Sequence, residues 1–195
     1  MKTDRRNKKG TLLIIAGLLL MAAALALVLY NKWDSDRARR VSEDILAILE
    51  GQIDGTEKIS TYENMPAVEI DGNLYIGIIE IPELGLKLPV MAEWDYDKLK
   101  LSPCRYSGSY FTDDMVICAH NYPSHFGPIK QVAIGADVYF KTVTGTVFRY
   151  QVSNRQTMEP SEVEEMVDDT DESWDLTLFT CNIGGKTRCA VRCVK

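Results

Sequence analysis

Leu12 to Tyr30 is an unbroken run of 19 apolar or Gly residues, and no charge occurs between residues 10 and 31. A surface helix of a globular domain keeps a polar face, which this run lacks. At ~1.5 Å rise per residue it covers roughly 28 Å, close to the ~30 Å hydrocarbon thickness of a bilayer. We therefore read residues 11–31 as a transmembrane anchor. A cleaved secretory leader is the competing reading, since a basic start precedes small residues such as Ala22, Ala23, Ala24 and Ala26. The run, however, exceeds the ~7–15 residues of a leader's apolar core.

Charge gives the orientation. Lys2, Arg5, Arg6, Lys8 and Lys9 against Asp4 leave the head, residues 1–10, with a net charge of +4, and the positive-inside rule keeps that end in the cytoplasm. The whole chain carries −6, so residues 31–195 carry −10. That length suits one domain with a full core. Its acidity argues against nucleic acid, whose binding runs on Lys and Arg neutralising phosphates. Arg37, Arg39 and Arg40 read as a solvated helix face or a lipid headgroup contact.

After the anchor, Asp34 to Glu50 has a helical pattern, with Val41, Ile45, Ile48 and Leu49 at i, i+4, i+7 and i+8 and Gly51 as a stop. Residues 51–73 hold Gly, Asp, Asn and Pro without a period and read as a linker, so residues 32–73 form a juxtamembrane helix and linker. From Leu74 the texture changes to short β-type runs: Leu74–Ile81, Leu86–Val90, Met115–Cys118, Ala136–Val143, Thr146–Met158, Asp175–Thr180 and Arg188–Val194. These predict a barrel or sandwich over residues 74–195. Thr144-Gly145 predicts a hairpin, with Phe148, Tyr150 and Val152 on its buried face. Ser161 and Glu164 form a capping box ahead of Val163, Met166 and Val167, predicting a short helix. The acidic stretch Asp168–Glu172 lacks the spacing of a calcium loop and reads as a solvated loop.

Five cysteines, Cys104, Cys118, Cys181, Cys189 and Cys193, leave at least one thiol unpaired if the domain is exported. Gly184-Gly185 between two strand-like runs predicts a two-residue hairpin with positive φ at both positions. Counting outward pairs Ile183 with Lys186, Asn182 with Thr187, Cys181 with Arg188 and Thr177 with Arg192. Directly opposed residues share a face with Cβ atoms ~4.5–5.5 Å apart, so the Cys181 thiol and the Arg188 guanidinium become neighbours. A fixed cation there favours thiolate and can hold a developing oxyanion. Arg192 ranks second. The alternation sends Cys189, Val191 and Cys193 to the opposite face, the core. A zinc reading of Cys181, Cys189, Cys193 and a His is weak without a C-x-x-C pair. A thiolate nucleophile also needs a proton donor, and the chain offers two: His120, ending an apolar strand, and His125, in the following turn. His120 is the better placed.

Thr177-Leu178-Phe179-Thr180-Cys181 resembles the T-L-x-T-C signature of sortases, the cysteine transpeptidases of Gram-positive cell surfaces. Ala119-His120-Asn121-Tyr122 followed by Ser124-His125-Phe126-Gly127-Pro128 is similar to the family's histidine segment, and Arg188 stands where the family places its arginine. The resemblance covers about residues 74–195, in the order His, Cys, Arg behind an N-terminal anchor. It implies a mainly β fold, a closed barrel of about eight strands with short helices, preceded by the transmembrane helix. It further implies Cys181 as nucleophile, His120 as general acid/base and Arg188 as stabiliser of substrate and oxyanion, with Thr180, Asn121 and Asn182 as substrate contacts and no metal or cofactor. The implied reaction cleaves a C-terminal LPxTG-like sorting motif through a thioacyl enzyme and joins the exported protein to a peptidoglycan precursor or cross-bridge amine, outside the cell membrane. Within the family the chain looks like class B or D. It ends seven residues after Arg188 without a second span, and residues 31–73 hold no Asp-Pro-aromatic lid. The alternatives are a thiol peptidase without transfer, whose papain-type order of Cys before His is the reverse of this one, and an inert β-barrel binding module.

Overall fold

The computed structural model describes residues 4–53, 60–162, 167, 174–182 and 184–195. A helix, α1, spans Asp4–Ile53, and the chain divides into two compact units, 1–37 and 38–195. In the first, the apolar run stands exposed around the helix, with Leu13 and Leu20 over 70% exposed. This helix is long and apolar enough to cross a membrane. No Pro or Gly occurs between Tyr30 and Arg40, and Arg37 pairs with Asp34 one turn back at 3.8 Å. The helix therefore does not break where the expected anchor gives way to the juxtamembrane segment.

In the second unit, residues 38–53 of α1 bury Ala38, Ser42, Ile45 and Leu49, the spacing of one helix face. Ile45 and Leu49 join Val68, Ile70, Tyr75 and Ile78 in one apolar cluster. Ile48, expected on that face, is exposed, and the helix ends at Ile53, two residues past Gly51.

Among the described residues there are ten strands: β1 Ser60–Tyr62, β2 Met65–Ile70, β3 Asn73–Ile81, β4 Leu86–Met91, β5 Cys104–Ser107, β6 Met115–Cys118, β7 Asp137–Thr142, β8 Val147–Met158, β9 Leu176–Cys181 and β10 Arg188–Val194. A one-turn helix, α2 Tyr96–Leu99, lies between β4 and β5. The sheet runs β3-β4-β5-β6-β9-β10-β8-β7 and closes where β7 pairs with β3, an eight-stranded barrel that β2 and β1 extend beyond β3. The expected mainly β closed barrel is what forms.

Residues 51–73, expected to be a linker, instead hold β1 and β2. Both turns around β2 put two successive residues at positive φ: Glu63 and Asn64 at 45° and 67°, Asp71 and Gly72 at 50° and 75°. This is the backbone of tight hairpins, and Asp-Gly between Val68, Ile70 and Leu74, Ile76 is its readable sign. β5 carries no such sign. It is four residues long and carries an Arg, and Arg105 is buried because its guanidinium donates to the Ala92 and Gly108 carbonyls (both 2.9 Å) and to the Glu63 carboxylate (2.7 Å). The capping box falls partly outside the described residues, as does Asp168–Glu172; Pro160–Glu162 form a 3-10 turn.

Alternation along each strand divides the packing. Ile79, Ile81, Leu88, Val90, Met115, Ile117, Phe140, Tyr150, Leu176, Leu178 and Val191 fill the barrel interior, each fully buried side chain contributing ~1.5–3 kcal/mol. Cys104, Val116, Cys118, Phe179 and Ala190 sit in the second cluster, on the outer face. Closure depends on Gly77, which pairs with Val90 on one side and Thr142 on the other. A Cβ there would stand 2.4 Å from the Lys141 carbonyl oxygen and 2.7 Å from the Phe140 ring. Gly77→Ala is expected to destabilise the protein by at least about 2–3 kcal/mol, read as a lowered denaturant midpoint of the detergent-solubilised full chain; an unchanged midpoint would contradict this closure.

Candidate active site

β6 and β9 run side by side in parallel, with Val116 beside Thr177, Ile117 beside Leu178 and Cys118 beside Phe179. Two hydrogen bonds carry the pairing past the end of β6: Ala119 N–H donates to the Phe179 carbonyl (3.2 Å) and the Thr180 hydroxyl donates to the Ala119 carbonyl (2.8 Å). His120 is the next residue along the chain after Ala119, as Cys181 is after Thr180. On the other side of β9, β10 is antiparallel, and Arg188 lies directly opposite Cys181, with Arg192 opposite Thr177. Cys181 and Arg188 thus face each other at the end of β9 and β10, and His120 follows β6, the strand on the other side of β9. Both His120 and Cys181 are half-buried.

The β9–β10 hairpin turns as its glycines predict, with Gly184 and Gly185 at φ 84° and 69°. Asn182 N–H donates to the Thr187 carbonyl (2.9 Å) and the Asn182 side-chain amide to the Thr187 hydroxyl (2.7 Å). Ile183 lies outside the described residues. The Arg188 Nη1 donates to the Gly185 carbonyl at 2.9 Å and the Thr187 carbonyl at 3.3 Å, so the hairpin's own backbone orients the guanidinium.

The five thiols differ sharply. Burial pushes Cys104 and Cys193 up to about 12, raises Cys189, and lifts Cys118 well above its usual range. These four are buried and stay protonated, whereas Cys181 is half-exposed at the strand end. Cys189 and Cys193 line the barrel interior with Val191, on the face away from Arg188. Cys104 and Cys118 stand directly opposite each other across β5 and β6, both free. Among the described residues no three His, Cys, Asp or Glu side chains gather as a metal ion would require.

The other expected site residues are placed as follows. Thr180 is 1% exposed and its hydroxyl is spent on the Ala119 carbonyl. It therefore straps the His-bearing segment to the Cys-bearing strand, and its position in the alternation faces it inward. The Asn121 side-chain carbonyl accepts from Lys130 (2.6 Å). Arg192 is buried, donating to the Thr177 hydroxyl (2.7 Å) with its guanidinium 4.1 Å from the Trp174 ring centre. His125 is fully buried with neither ring nitrogen hydrogen-bonded, and burial, followed by the His120 charge, depresses it from 6.5 to about 4. Sequence reasoning gave no role to Tyr122 or Lys130, whose spacing of +2 and +10 from His120 has no periodic signal.

The model of the sortase domain matches residues 79–195. Sortase C1 from Streptococcus suis is 27% identical over 62% of this chain and 72% of that one, with a TM-score of 0.52. A Clostridium perfringens sortase D5 transpeptidase is 19% identical over 80% of this chain and 95% of that one, with a TM-score of 0.57, and sortase C from Clostridium perfringens SM101 is 22% identical over 82% and 88%, at 0.53. No curated protein matches the chain. The matched residues run from the end of β3 through β10 and include His120, Cys181 and Arg188, and the chain belongs to the sortase family of cysteine transpeptidases.

The depressed His125 has a measurable consequence. The unfolded chain binds a proton at His125 below about 6.5 and the folded chain only below about 4, so stability is full above 6.5 and falls as the pH drops through that window, by up to roughly 3 kcal/mol. His125→Phe is expected to flatten the loss between pH 6.5 and 4 in denaturant titrations; an equally steep loss in that variant would contradict the buried neutral imidazole.

Proposed function

We propose that the chain is a membrane-anchored sortase that cleaves a C-terminal LPxTG-like sorting motif on exported proteins and transfers them to an amine of the cell wall or its precursor. The observation that carries this reading is the direct pairing of Cys181 with Arg188 across β9 and β10, with His120 two residues past the end of β6, the strand beside β9. Cys181, the half-exposed thiol, attacks the backbone carbonyl of the motif as a thiolate, and the Arg188 guanidinium stabilises both the thiolate and the oxyanion of the tetrahedral intermediate. His120 donates a proton to the departing amine, leaving a thioester on Cys181. An incoming amine then gives its proton to His120 as it attacks the thioester, and the new amide leaves the enzyme. Asn121 and Asn182, one residue from His120 and Cys181 along the chain, supply side-chain amides for contacts to substrate backbone.

The exposed apolar helix supports a single-pass anchor, and the basic head supports a cytoplasmic N-terminus with the barrel outside. Tyr30 and Trp33, with ring centres 6.2 Å apart at the end of the apolar run, suit the membrane interface. A class B or D type agrees with residues 31–73, which contain no Asp-Pro-aromatic triplet.

Mass spectrometry of the full chain in detergent with LPxTG- and NPxTN-type peptides, with and without triglycine, tests the reading. Wild type is expected to yield a thioacyl adduct and a peptide joined to triglycine, both lost in Cys181→Ala. Arg188→Lys keeps the charge but loses the planar fork, and its turnover should drop by about a hundredfold. Cleavage without joining would favour a peptidase, and Arg188→Lys turning over normally would remove Arg188 from its role.

A further inference from the structure

The segment after β6 is wound around the Tyr122 backbone. His120 C=O accepts from Phe126 N–H (3.2 Å), and Tyr122 C=O accepts from both His125 N–H and Gly127 N–H (3.0 Å each). A Cβ on Gly127 would stand 2.6 Å from the Tyr122 carbonyl oxygen, so only glycine permits this winding. The winding stacks three rings. The Tyr122 ring centre lies 4.9 Å from that of His120, tilted by 40°, and 5.4 Å from that of His125, tilted by 56°. His125 is fully buried, with no hydrogen bond to either nitrogen. A buried imidazole without partners functions here as a neutral ring, supplying shape and no charge.

We propose that Tyr122 is a positioning residue for His120, its ring in contact with both His120 and the buried His125, which supports it. The inference rests on the acid/base role of His120 given above. His120 has two side-chain torsions and stands past the last paired residue of β6, so the orientation of its ring depends on the groups around it. A ring that swings away from Cys181 loses the near-attack geometry that proton transfer requires. The aromatic face of Tyr122 removes that freedom on one side. The Lys130 ammonium, in the 3-10 turn Gly127–Gln131, also ties down Asn121 at 2.6 Å.

The chain has two histidines, so each imidazole can be followed separately by NMR in the full chain reconstituted in detergent. In Tyr122→Leu, the His120 ring resonances should move toward those of an unstacked histidine, and kcat for acylation by an LPxTG-type peptide should fall about ten- to a hundredfold while KM changes less than twofold. Tyr122→Phe should restore both, and His125→Ala should repeat the loss that His125→Phe repairs. Unmoved His120 resonances in Tyr122→Leu would overturn the proposal. So would a loss that Phe fails to rescue, which would assign the effect to the hydroxyl, or a loss expressed in KM, which would make Tyr122 a substrate contact. If wild type forms no thioacyl adduct, the functional reading fails by itself, and the NMR comparison still decides the ring stack.

Discussion

The parallel pairing of β6 with β9 is the constraint on which the site depends. Thr180 and the Ala119 carbonyl, 61 residues apart in sequence, meet in a 2.8 Å hydrogen bond, and the chain between them supplies the β7–β8 hairpin that closes the barrel onto β3. Parallel neighbours cannot be joined by a tight turn, so this pairing exists only when the rest of the barrel has formed. His120 and Cys181 are therefore placed by long-range closure, whereas Cys181 and Arg188 are placed locally by a two-glycine hairpin. The site needs both kinds of contact.

The same alternation that fills the barrel separates the thiols by function. Inward positions of β10 carry Cys189 and Cys193 into the apolar interior, and Cys104 and Cys118 lie under the outer cluster, where burial holds the thiols protonated. Cys181 ends its strand and escapes that burial. Arg188 and Arg192 stand on one face of β10 yet differ in use: Arg192 is packed over Trp174 and bonded to Thr177, while Arg188 is aimed by carbonyls of the turn beside Cys181. A guanidinium four residues along the same strand thus becomes a structural fastening.

Much of this was legible in the residues. Seven strands, the Thr144-Gly145 and Gly184-Gly185 turns and the pairing of Cys181 with Arg188 follow from period-2 alternation and the positive φ that glycine permits. The N-terminal hairpin of β1 and β2 escaped because Glu63-Asn64 is an uncommon turn pair and Met65-Pro66 interrupts the strand pattern. β5 escaped because its buried Arg105 is satisfied by partners 13 and 42 residues away. Thr180, read as a groove residue from its place beside Cys181, faces inward by the very alternation that turns Cys181 outward. The His120–Tyr122–His125 stack was not legible at all, since it follows from how one irregular turn winds around a carbonyl.

The most direct test of this placement is native-state labelling of the five thiols with an anionic methanethiosulfonate, read by mass spectrometry on the full chain. One adduct, on Cys181, is predicted, with a labelling rate that falls clearly in Arg188→Gln and stays near wild type in Lys186→Gln, which removes an exposed charge from the same hairpin. Labelling of Cys181 as slow as that of the four buried thiols, or equally fast without Arg188, would contradict an accessible Cys181 at the strand end with Arg188 directly opposed to it.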